Sequence, residues 1–306
     1  MTHYIAGSLM GRNVVVIGMH RSGTSAMTNA IRLLGCSIGD TGDFISPERW
    51  NPEGLWEHQR LIDRNNLILN LHGGTWFAPP RLPNGWMRRP KAQAMLPCLR
   101  SEFAATYPEE GWVWKDPRAC LTLPAWLETW ESEPVAVMAF RHPVAVAKSL
   151  AARNKFSLRH GLALWEIYNA QALWNLRELP TFVQSYDDAL EDPPRLAGKL
   201  SDALTRHGVE LDGSTSAAAE ALKPSLRRNT VGKHDLGLLT GRQRKLWELL
   251  SALAAGMTWP NDDDLEKVTS PSLTTRLVLF SKIPLRRRVA LTRARLRPQL
   301  GRAWQK

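Results

Sequence analysis

A strand-like run that leads directly into a glycine-bounded loop, and then into a helix-like pattern, constrains this chain more than any other feature. Residues 13–17 are mostly β-branched and apolar, which is typical of a buried strand. Apolar residues then recur at helical spacing over residues 26–34, and Gly35 is suited to end a helix. This order predicts a parallel sheet with crossover helices. The loop between the two reads Gly18, Met19, His20, Arg21, Ser22, Gly23, Thr24 and Ser25.

The loop has the glycine spacing of a phosphate-binding turn, in which backbone N–H groups and the positive end of the next helix bind an anion. A nucleotide hydrolase or kinase would continue with Lys and then with Ser or Thr for Mg²⁺. Thr24 stands where that Lys belongs, and Arg21 carries the positive charge instead. The sequence therefore argues against an ATPase. A turn that binds nothing is the alternative, but the loop has more hydroxyl groups than one N-cap needs.

Two further predicted strands end in charged residues. The strand over residues 134–140 ends at Arg141, and Ser149 lies about two turns into the helix that follows. Because Arg presents its donors in a planar fork, Arg141 is suited to phosphate oxygens. The strand over residues 111–114 ends at Lys115, which Asp116, Pro117 and Arg118 follow. Taken alone, each of these motifs also fits a surface charge or a turn closed by Asp-Pro.

These three motifs resemble those of sulfotransferases that use 3′-phosphoadenosine 5′-phosphosulfate (PAPS). Residues 14–35 are similar to the family's 5′-phosphosulfate loop, residues 140–150 to its 3′-phosphate motif, and residues 115–117 to a Lys-Asp-Pro motif of its tyrosylprotein branch. The likeness is to bacterial sulfotransferase-family proteins and, more distantly, to tyrosylprotein and glycosaminoglycan enzymes. Cytosolic aryl sulfotransferases carry Lys where this chain has Arg21. The resemblance covers roughly residues 12–245.

The resemblance implies an α/β fold, a P-loop NTPase-like three-layer sandwich with a central parallel sheet flanked by helices. It implies PAPS as co-substrate, adenosine 3′,5′-bisphosphate (PAP) as product, and no metal. Lys115 would stabilise charge on the transferring sulfuryl group. The implied PAPS-binding residues are His20, Arg21, Ser22, Gly23, Thr24, Ser25, Arg141 and Ser149.

Sulfuryl transfer also needs a base for the acceptor group. A helix is predicted over residues 57–71, and Glu57 at its start lies about where tyrosylprotein relatives carry a catalytic Glu. Glu57 is the first candidate and His58 the second. The alternative for Glu57 is stabilisation of the first helical turn by the helix dipole.

The acceptor is not readable from these motifs, but tryptophan is frequent in the N-terminal half. Trp50, Trp56 and Trp76 fall in or beside predicted loops, where they would suit a saccharide or hydrophobic acceptor. Core packing explains most tryptophans in most proteins. We therefore expect transfer to a hydroxyl or amine of a saccharide- or lipid-linked acceptor.

The net charge of +11 is concentrated at the C-terminus, where residues 267–306 contain eleven basic residues and no acidic one. We predict a sulfotransferase domain over residues 1–265 and a basic tail over residues 266–306. A basic amphipathic tail suits peripheral contact with an anionic membrane, although a solubilising tail or, less readily, a nucleic-acid binder also fits. The three cysteines form no disulfide or metal pattern, and no run reaches membrane-spanning length, so we expect a cytoplasmic protein.

Two other functions remain open at this stage. A divergent P-loop nucleotide-binding or kinase-like protein would explain the loop, but the Thr at position 24 and the Arg141 and Ser149 pair argue against it. A non-catalytic membrane or nucleic-acid binder would rest on the tail alone.

Overall fold

The computed structural model describes residues 12–46, 54–224, 231, 233–270 and 272–281. Its centre is a four-stranded sheet in which all neighbouring strands are parallel, in the order β2-β1-β3-β4. The phosphate-loop strand β1 is therefore an inner strand, between β2 and β3. The strands are β1 Val14–Ile17, β2 Val113–Lys115, β3 Val135–Phe140 and β4 Thr181–Ser185.

Helices connect the strands and continue after the last one. Short 3₁₀ helices occur at Thr41–Asp43, Trp86–Arg88 and Lys233–Leu238. The α-helices are α1 Thr24–Leu33, α2 Gln59–Leu71, α3 Pro90–Gln93, α4 Leu96–Thr106, α5 Ala119–Leu127, α6 Pro143–Asn154, α7 Leu158–Leu176, α8 Tyr186–Ala189, α9 Pro193–Arg206, α10 Thr215–Glu220, α11 Gly241–Ala254, α12 Asp262–Thr269 and α13 Leu273–Phe280.

The sheet is buried on both faces, as a parallel sheet requires. Val15 and Ile17 point into a core shared with α2, α4, α5 and α7, whereas Val14 and Val16 point into a core shared with α1, α9 and α10. Successive residues of a strand face opposite sides, so the unbroken apolar run in β1 fills both cores. The predicted three-layer architecture with a central parallel sheet is confirmed.

The tryptophans around β2 belong to the core. Trp112 and Trp114 lie in an aromatic cluster with Trp126 and Trp130, and Phe103 contacts all four, with ring centroids 5.0–5.7 Å apart. Their frequency in this half of the chain therefore reflects packing, which is the ordinary use of large aromatic side chains.

The helix predicted over residues 57–71 begins in the structure two residues later than predicted. Helix α2 starts at Gln59, and His58 is its N-cap residue with extended backbone angles. The segment before it is held as extended chain, because the Ile45 N–H donates to the Glu57 carbonyl at 3.0 Å and Phe44 pairs with His58. Glu57 therefore lies outside the first helical turn, and the explanation of Glu57 as a helix-dipole partner is wrong.

The described C-terminal residues pack against α7. Glu166 of α7 is buried; it accepts hydrogen bonds from Gln243 of α11 and from the Ser272 N–H and Thr275 hydroxyl at the start of α13. Leu279 of α13 is also buried. The predicted tail from residue 266 thus includes two helices that contact the core, while residues 286–297, where its arginines concentrate, lie outside the described residues. In the described parts of the chain, no helix has the length and apolarity to cross a bilayer.

Candidate functional site

The glycine-bounded loop lies at the carboxyl end of β1, near the middle of the sheet. A Cβ at Gly18 would overlap the Ala139 carbonyl of β3, so the loop approaches its neighbouring strand too closely for any side chain. Gly23 has φ 87°, and a Cβ there would overlap the Tyr186 ring. Arg21 adopts φ 72°, which is uncommon for a residue with a side chain and is typical of functional turns. Both glycines are therefore required for the shape of the loop.

The hydroxyl groups of the loop differ in how they are satisfied. Ser22 is buried and its Oγ has no hydrogen-bond partner among the described residues. Ser25 donates to the Leu55 carbonyl at 3.3 Å and accepts from Lys115 at 3.3 Å. Thr24 is buried at the first position of α1, whose N-cap residue Gly23 supplies no side-chain cap. An uncapped helix start beside an unpaired buried hydroxyl fits an anion such as phosphate.

The two predicted phosphate motifs meet across the sheet. Arg21 Nε donates to Ser149 Oγ of α6 at 2.8 Å, although the two residues are 128 positions apart. Arg141 is buried at the end of β3, where its Nε lies 3.5 Å from a carboxylate oxygen of Asp187 and its guanidinium 5.2 Å from the Tyr186 ring centroid. The 5′ and 3′ motifs therefore form one basic region. Asp187 has no signal in the sequence beyond its place in a turn after β4.

A second group of charged residues adjoins the loop, and we call it the ion-pair cluster: Glu57, Lys115, Asp116, Arg118 and Asn65. Lys115 Nζ lies 2.5 Å from Glu57 Oε1, and both side chains are buried. Arg118 lies 3.7 Å from the other Glu57 oxygen and 3.0 Å from Asp116. Two cations thus share two carboxylates. One of the cations, Lys115, also donates to the loop hydroxyl of Ser25.

Burial and charge act on Glu57 in opposite directions. Burial raises the pKa of Glu57 and the Asp116 carboxylate adds to the rise, while Lys115 and Arg118 oppose it. A carboxylate with a raised pKa is a better proton acceptor, and its basicity grows further when a neighbouring cation turns to another anion. Glu57 therefore has the environment of a general base whose strength depends on Lys115.

Asn65 of α2 is a residue that the sequence motifs do not reveal. It is fully buried, donates to Asp116 at 2.8 Å, and accepts from Thr122 and from the Trp126 indole. Asp116 in turn accepts from the Arg118 N–H at 2.8 Å. Asp116 is therefore oriented toward Arg118 and Asn65. The only local signal for Asn65 is an amide on an otherwise apolar helix face.

His58 lies in different surroundings from Glu57. Its ring packs against Phe44 and Tyr107, with centroids 4.4 and 5.1 Å away, and the Tyr107 hydroxyl lies 3.3 Å from its Nδ1. Burial lowers the pKa of His58 to about 4. Such a group is a weak proton acceptor near neutral pH, so of the two candidate bases the geometry favours Glu57.

His20 is held by aromatic rings beside the loop. Its centroid lies 4.8 Å from that of Trp76 and 5.8 Å from that of Tyr168, and the Tyr168 hydroxyl donates to the Trp76 carbonyl at 2.7 Å. The residue as a whole is partly exposed, but its Nε2 is buried and has no partner among the described residues. Burial lowers the pKa of His20 well below its usual value, and Arg118, Lys115, Arg153 and Arg21 lower it further.

The three tryptophans predicted as acceptor contacts have separate positions. Trp76 contacts His20 and therefore borders the site. Trp56 has φ 54° and lies beneath the Arg32 guanidinium, 5.1 Å from the ring centroid. Trp50 lies outside the described residues.

Comparison with known proteins gives structural matches only. No protein-family profile matches the sequence, and no curated protein matches it. Among solved structures, the sulfotransferase domain of the curacin biosynthetic pathway matches with 14% identity and a TM-score of 0.41, covering 86% of this chain and 98% of that domain. The sulfotransferase domain of the Synechococcus PCC 7002 olefin synthase matches with 15% identity and a TM-score of 0.38, covering 92% and 98%.

A third solved structure that matches is a retinol dehydratase in complex with androsterone and the inactive cofactor PAP. Its identity is 16% and its TM-score 0.36, and the match covers 81% of this chain and 83% of that one. Sulfotransferase domains are thus among the structures to which this chain is similar, as the motif resemblance predicts.

Proposed function

We propose that the protein transfers the sulfuryl group of PAPS to a hydroxyl or amine of a saccharide- or lipid-linked acceptor. The observation that carries the proposal is the contact between Arg21 in the glycine-bounded loop and Ser149 in α6. It joins the residues proposed for the 5′ end of PAPS to those proposed for its 3′-phosphate. A nucleotide that carries phosphate groups at two separate positions fits a basic region built from two separate motifs better than a triphosphate does.

PAPS is proposed to bind through the loop and the end of β3. The loop N–H groups, Ser22, Thr24, Ser25 and the start of α1 would hold the 5′-phosphosulfate. Arg141 and Ser149 would bind the 3′-phosphate, with Asp187 and Tyr186 fixing the Arg141 side chain. The buried, unpaired Ser22 hydroxyl supports this arrangement, because buried polar groups normally have a partner.

The chemical step is an in-line substitution at sulfur. The acceptor oxygen or nitrogen forms a bond to sulfur, and the bridging S–O bond breaks with its electron pair leaving on PAP. Lys115 and Arg21 would stabilise the negative charge that develops on the leaving oxygen. Catalysis would then consist of positioning, charge stabilisation and proton removal.

The proton would pass to Glu57. In the ion-pair cluster Glu57 is bound by Lys115, which restrains its basicity. When the donor binds, its anionic oxygens would compete with Glu57 for Lys115. The buried carboxylate would then be less stabilised by Lys115 and would become a stronger proton acceptor. Base and electrophilic catalyst would thus be switched on together by donor binding.

The remaining parts of the proposal concern location and partners. We propose a cytoplasmic sulfotransferase domain over residues 1–265, against which α12 and α13 pack, and a basic segment within residues 266–306 that contacts the anionic face of a membrane. The excess of basic over acidic residues after position 266 supports this, since each Lys or Arg near an anionic surface is worth about 1 kcal/mol.

Competitive binding tests the donor proposal. Calorimetry with PAP and with ATP plus Mg²⁺ should give an affinity for PAP higher by at least about tenfold, because only PAP carries the second phosphate for Arg141 and Ser149. Labelled PAPS mixed with the protein and a cell extract should then yield a labelled product. Tighter binding of ATP with Mg²⁺ would instead favour the kinase-like alternative.

A further inference from the structure

We propose that His20 binds the acceptor group, with its Nε2 hydrogen-bonded to the hydroxyl or amine that attacks sulfur. The inference rests on the proposed function, because it assigns the acceptor side of the same site. It also names the acceptor chemistry, which is a neutral O–H or N–H group presented beside an aromatic wall formed by Trp76 and Tyr168.

The first argument is the position of the side chain. His20 lies in the loop, one residue before Arg21, and the rings of Trp76 and Tyr168 fix its imidazole. The Tyr168 hydroxyl is bound to the Trp76 carbonyl, so it is not available to His20 as a donor in this arrangement. A side chain placed so firmly beside the loop is preorganised for a ligand.

The second argument is the unsatisfied ring nitrogen. His20 Nε2 is buried and has no partner among the described residues, although the residue as a whole is partly exposed. An unpaired buried polar atom is destabilising, and it is retained where a ligand supplies the partner. An incoming hydroxyl or amine can supply it.

The third argument is the charge of the surroundings. The charged groups acting on His20 are Arg118 and Lys115 of the ion-pair cluster, Arg21 of the loop and Arg153 of α6; all four are cations. Burial is the larger cause of the lowered pKa of His20, and these cations lower it further. The imidazole is therefore neutral in the free protein, and a neutral imidazole has one nitrogen that accepts a hydrogen bond. Bound PAPS brings several negative charges, which offset these cations and make the imidazole a stronger acceptor at the moment it is needed.

The division of roles with Glu57 follows from these surroundings. Both carboxylate oxygens of Glu57 are paired with cations, so neither is available to an acceptor group before the donor binds. His20 would orient the nucleophile at sulfur, and Glu57 would take the proton once Lys115 has turned away. His20, which the family resemblance places among the PAPS-binding residues, is therefore proposed as a contact for the acceptor and not for the donor.

Histidine NMR tests the charge argument without knowledge of the acceptor. In ¹⁵N-histidine-labelled protein, with His20→Asn used to assign the signal, His20 of the free protein should stay neutral at pH values where an unperturbed histidine is already protonated. Saturating PAP should shift the titration of His20 to higher pH, because its negative charges offset the surrounding cations. An unchanged His20 titration in protein that demonstrably binds PAP would overturn the inference.

Transfer measurements test the acceptor role itself. His20→Asn should bind PAP within about threefold of the wild type and lose at least about tenfold in labelled transfer from PAPS into an extract. His207→Asn, the same change at an exposed site, should behave as the wild type. Wild-type transfer by His20→Asn, or a parallel loss of PAP affinity, would refute the inference. Absence of PAP binding in the wild-type protein would instead refute the proposed function.

Discussion

The phosphate loop and the ion-pair cluster satisfy their polar atoms in opposite ways. In the loop, Ser22 Oγ and His20 Nε2 are buried with no partner among the described residues, and α1 has no side-chain cap. In the cluster, Glu57 and Asp116 each have a cation within 3.0 Å. The buried polar atoms of the loop therefore leave room for hydrogen bonds from an external ligand. The charged groups of the cluster are already paired with one another and would have to exchange partners to take part in a reaction.

Removing Lys115 should give the largest effect, because Lys115 pairs with Glu57 in the free protein and is proposed to stabilise the sulfuryl group during transfer. Lys115→Met should lower transfer on the order of 10³-fold and cost about 3 kcal/mol of stability, since Glu57 is left buried without its nearest cation. PAP affinity should change little. Labelled transfer, calorimetry and urea unfolding measure the three quantities.

The double variant Lys115→Met with Glu57→Gln is the control for that prediction. It should recover most of the lost stability, because no buried charge is left without an oppositely charged partner, and none of the lost activity. If transfer by Lys115→Met stays at the wild-type rate, Lys115 has no part in the reaction.

His58 sharpens the comparison, because its Nε2 is also buried without a partner among the described residues but lies among aromatic rings. Its pKa is about 4 in the folded protein and about 6.5 in the unfolded chain. The unfolded state therefore takes up the proton first as the pH falls, so the stability from neutral His58 is complete above pH 6.5 and is lost toward pH 4.

Between pH 7 and pH 4, the unfolding free energy of the wild type should fall by about 3 kcal/mol more than that of His58→Gln. Urea unfolding followed by tryptophan fluorescence measures the difference. Parallel pH profiles for the two proteins would show that His58 is not held neutral by burial. PAP should not alter the difference, in contrast to the behaviour proposed for His20.

Gly23 tests whether the shape of the loop is required for donor binding. Gly23→Ala places a methyl group against the Tyr186 ring at a positive φ, which should cost about 2 kcal/mol of stability and weaken PAP binding on the order of tenfold. Gly241→Ala is the matched control, since its added methyl group meets no atom within 4 Å. Equal PAP affinities for the two variants would separate the loop from the donor site.

Ser149 should give the smallest effect. Ser149→Ala removes the hydroxyl that accepts from Arg21, and PAP binding should weaken by about fivefold, equivalent to roughly 1 kcal/mol. Calorimetry with PAP on Arg21→Gln, Ser149→Ala and the double variant measures the coupling. Strictly additive losses would mean that the Arg21–Ser149 contact does not contribute to donor binding.

Local patterns were sufficient to predict the sheet and the loop. The β-branched run of β1 and the two glycines dictate a strand and a tight turn. The places of Lys115 and Arg141 beside the loop were implied by the family resemblance, and they agree with the rule that the carboxyl ends of parallel strands lie at one edge of the sheet. The contacts of His20 with Trp76 and Tyr168 depend on how α7 packs more than 140 residues later. Asn65 and Asp187 were not predicted because their contacts are also with residues far away in the sequence. The predicted start of α2 was two residues too early, because pairing with Phe44 keeps the preceding segment extended.

The hydrogen bonds of Glu166 decide where the chain can be shortened. A protein ending at residue 265 would lack Ser272 and Thr275, so the buried Glu166 carboxylate would lose both of its contacts with the start of α13. A protein ending at residue 281 would keep both contacts and would lack most of the basic residues of the segment 266–306. Only the second truncation separates the role of the basic segment from damage to the interior, because the first leaves the buried Glu166 side chain with the Gln243 hydrogen bond but without those from Ser272 and Thr275.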